Sequence, residues 1–308
     1  MSLGVAWLFP GQGSQVIGMS RELAERYPSA MRVFDEASEA ISHDLKKLAW
    51  DGPQSELDLT ANTQPALLAA SIAALRAAEE AGGPFAVPAA LLGHSLGEFS
   101  ALVAGGALPL SDAARLVRKR GELMQVADQQ GGMLAVIGGD VDAIARAIAG
   151  TRLVIANDNA PGQVVISGPR DDFEAATAAL KQAGAKRVIP LRTSGAFHSP
   201  SMRAVAPDLA IAVRAATWHS LAFPVIANVD AKKHEHAADF LDLLEKQVWS
   251  PVEWVGSMRR AAGEGATAFV EFGPGNVLTG LAKRILPDAR TANVSDVKTL
   301  EEALPVLR

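Results

Sequence analysis

The residues best suited to do chemistry lie at Gly93-His94-Ser95-Leu96-Gly97, a Gly-x-Ser-x-Gly spacing. An apolar run at 89–93 precedes it and a helical pattern at 96–104 follows. A sharp strand-to-helix turn at such a place exposes a serine hydroxyl in a strained conformation, and the flanking glycines keep other side chains clear. The helix start behind it adds unpaired N–H groups and a positive dipole end, suited to an oxyanion. The same spacing also fits a serine that merely caps a helix. A nucleophilic serine needs a base, and the chain has six histidines. His43 and His219 fall in polar or helix-flanking stretches and read as surface residues. His234 and His236 bracket Glu235 in a charged loop, a poor arrangement for a metal. His94 adjoins the serine, but an elbow turns it away, which makes it a supporting residue. His198 follows a strand and linker at 188–196 and precedes Ser199-Pro200, a helix-start signal. A hydrolase-like site places its base in such a loop, downstream of the nucleophile.

The helix expected over 111–125 carries a charge on its apolar face. Ala113, Leu116, Val117, Leu123, Met124 and Ala127 follow the 3, 4, 7 spacing of one buried stripe, and Arg120 falls in its middle. Arg115, Arg118, Lys119 and Glu122 fall off the stripe. A guanidinium among core residues costs several kcal/mol unless an anion meets it. A buried acidic partner or a snorkelling side chain accounts for the pattern. So does a substrate that brings the anion, since a planar fork suits a carboxylate. A serine for an acyl-enzyme, a histidine base and an arginine for a free carboxylate describe a malonyl-type transferase better than an esterase.

These residues must be positioned by something, and 308 residues suffice for one large domain or two ordinary ones. The chain is 49% hydrophobic and 20% charged, with a net charge of −5, the balance of a globular protein rather than of a nucleic-acid or membrane-surface binder. Zero cysteines exclude disulfides, thiolate metal sites, iron–sulfur clusters and a cysteine nucleophile. The apolar start at 1–10 lacks a basic region and breaks at Pro10-Gly11, and no run reaches membrane-spanning length. A cytoplasmic protein is expected. Gly11-Gln12-Gly13 follows a strand, but Gly18 comes too late for a dinucleotide loop.

Short apolar runs alternate with helical patterns, which predicts an α/β fold with a largely parallel sheet. Strands are expected at 5–9, 89–93, 225–228 and 268–271, and helices at 65–80, 96–104, 111–125 (capped by Ser111), 202–215, 238–247, 252–262 and 276–285. Within 129–193 the pattern reads β-α-β-β-α-β, a ferredoxin-like split unit. Strands fall there at 132–137, 153–157, 163–167 and 187–191, with helices at 141–149 and 171–183. The expected organisation is a large catalytic domain of 1–128 and 194–308, with 129–193 inserted. The polar stretch 230–236 reads as a surface loop.

Over essentially its whole length the chain resembles the malonyl-CoA:acyl carrier protein transacylases of fatty acid synthesis and the related acyltransferase domains of polyketide synthases. The matching motifs are Phe9-Pro10-Gly11-Gln12-Gly13-Ser14-Gln15, Thr63-Gln64-Pro65-Ala66, Gly93-His94-Ser95-Leu96-Gly97-Glu98-Phe99-Ser100 and Arg118-Lys119-Arg120-Gly121. They continue with Asn159-Ala160-Pro161-Gly162-Gln163-Val164-Val165, Ala196-Phe197-His198-Ser199, Trp249-Ser250-Pro251-Val252 and Glu271-Phe272-Gly273-Pro274-Gly275-Asn276-Val277-Leu278.

The resemblance implies an α/β-hydrolase-like core with a ferredoxin-like subdomain. It implies Ser95 as nucleophile, His198 as base, Arg120 for the malonyl carboxylate and the Gln12 and Leu96 amides as oxyanion hole. The Gln247 carbonyl would orient the histidine, with Gln64 and Asn159 at the pocket. Phe197 before His198 resembles a malonyl-selective marker, its ring leaving no room for an α-methyl group, although Gly195 replaces the commoner histidine. The implied reaction is ping-pong transfer from malonyl-CoA to the phosphopantetheine thiol of an acyl carrier protein, by a monomer with no bound cofactor or metal and no nucleic-acid or membrane partner. The carrier could serve fatty acid synthesis, a polyketide line or malonate decarboxylation. Lys186-Arg187, Arg259-Arg260 and Lys283-Arg284 are candidates for meeting it. A serine esterase or thioesterase with the same elbow, or a non-catalytic carrier-docking subunit, are the competing readings.

Overall fold

In the computed structural model, which describes residues 4–308, the apolar run at the start of the chain forms strand β1 (Gly4–Phe9) at the centre of the larger sheet. The first three residues of the start at 1–10 lie outside the described residues. Nine further strands follow: β2 (Ala90–Gly93), β3 (Gly131–Gly138), β4 (Val154–Ala160), β5 (Gln163–Pro169), β6 (Ala185–Pro190), β7 (Val225–Ile226), β8 (Lys233–His234), β9 (Ala266–Phe272) and β10 (Arg290–Val294). The larger sheet has the order β10-β9-β1-β2-β7-β8 and is parallel except where β8 pairs antiparallel with β7. β1 and β2 are buried almost throughout, as a parallel strand covered on both faces must be. The second sheet, in the order β4-β5-β3-β6, is antiparallel and backed by helices Val141–Ile148 and Phe173–Gln182. The chain is thus α/β, with a mostly parallel hydrolase-like sheet and a ferredoxin-like antiparallel sheet.

Several expectations shift for identifiable reasons. The helix expected at 65–80 spans Thr60–Gly82 and includes Pro65. Pro65 has no N–H for the Ala61 carbonyl, which instead accepts from Arg118 Nη1 at 3.3 Å. The helix expected to start at a Ser111 cap spans Leu110–Ala127 behind Pro109, and Ser111 caps nothing. Part of the stretch 230–236, expected as a loop, is strand β8. The helix expected at 202–215 is a 3-10 turn, Pro200–Ala204, followed by helix Ala206–Ala215. β4 runs on to Ala160 through the polar Asn157-Asp158-Asn159, because its free edge bonds to the segment at Val252: Asp158 N donates to Val252 O and Val252 N to Ala156 O.

Helices Thr60–Gly82 and Leu110–Ala127 pack closely at Gly121, where a Cβ would come within 2.7 Å of Ala61 Cα. The buried residues of the second helix are Leu110, Ala113, Ala114, Leu116, Val117, Arg120, Gly121 and Met124. Of the expected stripe, Ala113, Leu116, Val117 and Met124 are buried and Leu123 and Ala127 half-buried, and Arg120 lies within it. No helix among the described residues is long and apolar enough to cross a membrane.

Candidate active site

Because β1 and β2 are parallel neighbours with Phe9 opposite Gly93, the loops leaving them meet at the same sheet edge. Open α/β sheets bind ligands at the carboxyl ends of such strands. The two loops are interlocked: His94 N donates to Phe9 O at 3.0 Å, a Cβ on Gly97 would overlap the Phe9 carbonyl, and one on Gly93 would overlap the Gly97 backbone. Both motif glycines are thereby required by close backbone approach. Ser95 sits at the top of the elbow with φ 51°, left-handed backbone that costs a non-glycine residue about 1–2 kcal/mol. Asn228, two residues past β7, supports it, accepting from Ser95 N at 2.7 Å through Oδ1 and donating to Gly93 O at 2.6 Å through Nδ2.

His198 is also left-handed, at φ 55°, and is only 4% exposed. Its Nε2 lies 2.7 Å from Ser95 Oγ. Its Nδ1 faces two carbonyls, Gln247 O at 2.9 Å and Ser250 O at 3.2 Å. Carbonyls only accept, so Nδ1 carries the proton and the Nε2 lone pair faces the serine. Burial, reinforced by the Arg120 charge, pushes His198 down to about 3, which keeps the ring neutral.

Arg120 is 1% exposed. Its Nη1 donates to Gln64 Oε1 at 2.9 Å, and its Nη2 to Gln247 Oε1 at 3.0 Å and to Ser95 Oγ at 3.2 Å. All three acceptors are neutral, Nε has no partner, and no ion pair to Arg120 forms among the described residues. Burial lowers it to about 10, still cationic at neutral pH, with Glu98 acting in the opposite direction. The acidic partner allowed by the sequence pattern is thus not in hydrogen-bonding contact.

Of the remaining expected residues, Gln12, His94, Leu96, Asn159 and Phe197 line the same cavity of about 310 Å³, which the smaller sheet roofs with Met133, Ala135 and Val165. Gln64 and Gln247 are instead buried against Arg120 and do not line it. Gln12 and Leu96 line it beside Ser95, and neither amide donates to another described residue. Phe197 lines it too. His94 turns from Ser95 and pairs through Nε2 with Asn159 Oδ1 at 2.7 Å, which joins the elbow to the smaller sheet. Gln247 does more than lend a carbonyl, because its side-chain amide also donates to Ser95 O at 3.0 Å and to the Glu98 carboxyl. Sequence reasoning missed two residues. Asn228 left no signal, whereas Glu98, an acid in the otherwise uncharged helix Gly97–Ala104, did.

Other candidates lie elsewhere. His43 and His219 are exposed, and His234 lies between Asp230 and Asp239. Lys186, Arg187, Arg259, Arg260, Lys283 and Arg284 are exposed, with Arg284 donating to Pro161 O at 2.6 Å and to Gln163 on the cavity wall.

The model of the acyl transferase domain family matches residues 6–302. The chain belongs to the acyl transferase family. It is 44% identical to the malonyl CoA-acyl carrier protein transacylase of Bacillus subtilis over 99% of this chain and 97% of the relative. It is 42% identical to that of Escherichia coli K12, over 97% and 98%. Among solved structures, the malonyl CoA-acyl carrier protein transacylase of Coxiella burnetii superposes with a TM-score of 0.95 at 38% identity, covering 100% of this chain and 98% of that one. A malonyl-transacylase solved in complex with a type II polyketide acyl-carrier protein gives 0.93 at 41% identity, covering 98% and 99%. An acyl transferase needs a nucleophile, a base and a site for the acyl group, and the cavity presents groups with those properties side by side.

Proposed function

We propose that the protein transfers a malonyl group from malonyl-CoA to the phosphopantetheine thiol of an acyl carrier protein through a malonyl ester of Ser95. One observation carries this reading: a buried guanidinium with no acidic partner lies 3.2 Å from the serine hydroxyl. An esterase acting on simple acyl groups has no use for it, whereas an acyl group ending in a carboxylate does. Names borne by full-length relatives agree with the reading.

In the first half-reaction His198 Nε2 takes the Ser95 Oγ proton as Oγ attacks the thioester carbon. The carbonyl oxygen becomes an oxyanion facing the Gln12 and Leu96 amides, which are otherwise unengaged. Collapse breaks the carbon–sulfur bond, and the imidazolium returns its proton to the leaving CoA sulfur. In the second half-reaction His198 takes the proton of the carrier thiol, whose sulfur attacks the ester carbonyl, and Ser95 leaves with that proton. Phe197 narrows the cavity against an α-methyl branch. The unit 129–193 then acts as a small domain closing the cavity opposite the elbow.

Incubation with malonyl-CoA followed by intact-mass analysis tests the reading. The parent gains one malonyl adduct and Ser95→Ala gains none. The adduct then passes to a carrier thiol faster than to water. A protein that only hydrolyses malonyl-CoA or simple esters, with no transfer to any carrier, overturns it.

A further inference from the structure

Glu98 is fully buried one turn after Ser95, and the mechanism above does not use it. Its Oε2 accepts from Gln247 Nε2, while Oε1 has no hydrogen-bond partner. The same Gln247 amide donates to Ser95 O at 3.0 Å and accepts from Arg120 Nη2 at 3.0 Å. Its orientation is unambiguous, because a guanidinium can only donate and a carbonyl can only accept. Glu98 therefore sits one amide away from the cation, on the side opposite Gln64, and pairs with no cation among the described residues. Two ionisable groups act on it across the packed elements, Arg120 from helix Leu110–Ala127 and Asp230 from the turn after β7. Helix Phe240–Gln247 turns the neutral Gln247 amide toward it. A bare carboxylate in that position would hold a charge in the core with one oxygen unsatisfied, the costly form of a buried acid.

We propose that Glu98 is a positioning residue for malonyl transfer: as an uncharged acid it holds the Gln247 amide, which aims the Arg120 guanidinium at the acyl site and leaves its charge free for an incoming carboxylate. This rests on the malonyl reading of the same site. Burial pushes Glu98 up to about 8, against the opposing pull of the Gln247 side chain, the Asn228 backbone N–H and Arg120, so the neutral form prevails at neutral pH. On ionisation the new charge faces Arg120 and competes with the substrate carboxylate.

The test measures kcat and KM for malonyl-CoA and acetyl-CoA with the parent, Glu98→Gln and Glu98→Leu, at neutral pH and above about pH 8, alongside thermal melts. At neutral pH Glu98→Leu loses on the order of tenfold in the malonyl-to-acetyl ratio of kcat/KM, the worth of one hydrogen bond to a charged group. Glu98→Gln, whose amide oxygen still accepts from Gln247, restores most of that ratio. As the pH rises, the parent's ratio falls while that of Glu98→Gln stays flat. Equal losses on both substrates in Glu98→Leu, a Gln variant as poor as the Leu variant, or an alkaline fall shared by parent and Gln variant each overturn the proposal. If Glu98→Leu does not fold, the pH comparison of parent with Glu98→Gln decides alone. Absence of any malonyl adduct on the parent instead overturns the malonyl reading itself.

Discussion

Removing the buried cation gives the sharpest test of carboxylate recognition. Arg120→Ala takes away a guanidinium that donates to Gln64, Gln247 and Ser95 and that has no acidic partner to leave behind. Two consequences separate by substrate. The loss of packing and of the hydrogen bonds to Gln64 and Gln247 falls on every acyl group alike. The loss of the charged contact falls only on a substrate that ends in a carboxylate. A charge-assisted hydrogen bond is worth about 1.5–3 kcal/mol, so a carboxylate engaging the guanidinium loses about 3 kcal/mol. At 1.36 kcal/mol per decade that is on the order of a hundredfold in kcat/KM for malonyl-CoA relative to acetyl-CoA. The assay is rapid-quench acylation of Ser95 by each thioester, with parent and variant matched for folded fraction. Arg120→Lys recovers part of the ratio, because a point charge replaces a planar fork. If Arg120→Ala lowers both substrates in parallel and leaves their ratio within a factor of about two, the arginine is a structural residue and the carboxylate assignment fails.

The supporting geometry makes further predictions. Gly97→Ala places a Cβ onto the Phe9 carbonyl and pushes the elbow off β1, so acylation by malonyl-CoA is abolished and the melting temperature falls; a well-folded, active variant refutes the interlock. Asn228→Ala removes the acceptor for Ser95 N and the donor to Gly93 O, and is expected to cost about 2–3 kcal/mol in denaturant unfolding; an unchanged midpoint refutes the brace. Glu271 accepts from Leu278 N, Thr279 N and Thr279 Oγ1 at the start of helix Val277–Ile285, so Glu271→Ala destabilises by about 2 kcal/mol, read as a lowered urea midpoint. For His198, the folded value of about 3 lies below the ordinary value of 6.5. Its stability contribution is present above pH 6.5 and is lost as the pH falls through that value toward 3. The kcat/KM profile accordingly shows no histidine inflection near 6.5, and a fall centred there refutes the assigned environment.

The parts of the site that obey local rules were legible in the sequence. The elbow is written in two glycines and a serine between a strand and a helix, and Arg120 stands out because helical periodicity alone assigns it to a buried face. The loop at His198 and the helix-start signal after it mark that position in the sequence, whereas its left-handed backbone leaves no mark. What escaped depends on partners far apart in the chain. Asn228 braces Ser95 across 133 residues, and nothing near position 228 marks an asparagine as anything but the end of a strand. The second task of Gln247, its side-chain bridge to Ser95, Glu98 and Arg120, exists only once three helices meet. β4 ran past its expected end because its polar residues bond to the segment at Val252, a tertiary contact that overrides the local pattern. Ser111 failed as a cap for a more local reason. Proline at 109 already ends the preceding loop, and the carboxylate of Asp112 turns instead to Thr217 N at 2.8 Å.

In the proposed reaction, the placement of Arg120 ties acyl recognition to the state of the Ser95 hydroxyl. Its Nη2 donates to the same Ser95 oxygen that faces His198, so at rest one lone pair of the hydroxyl is held by a cation. A serine oxygen so engaged is a weaker nucleophile, and a neutral acyl chain does nothing to release it. A carboxylate drawn to the guanidinium competes for that donor and loosens its hold on the oxygen. It also offsets the positive charge that, after burial, is the largest influence holding the His198 ring away from protonation. Both changes act at the moment of proton transfer rather than at first encounter. Discrimination built this way appears in kcat as well as in KM, because part of the recognition energy is realised only as the serine gives up its proton.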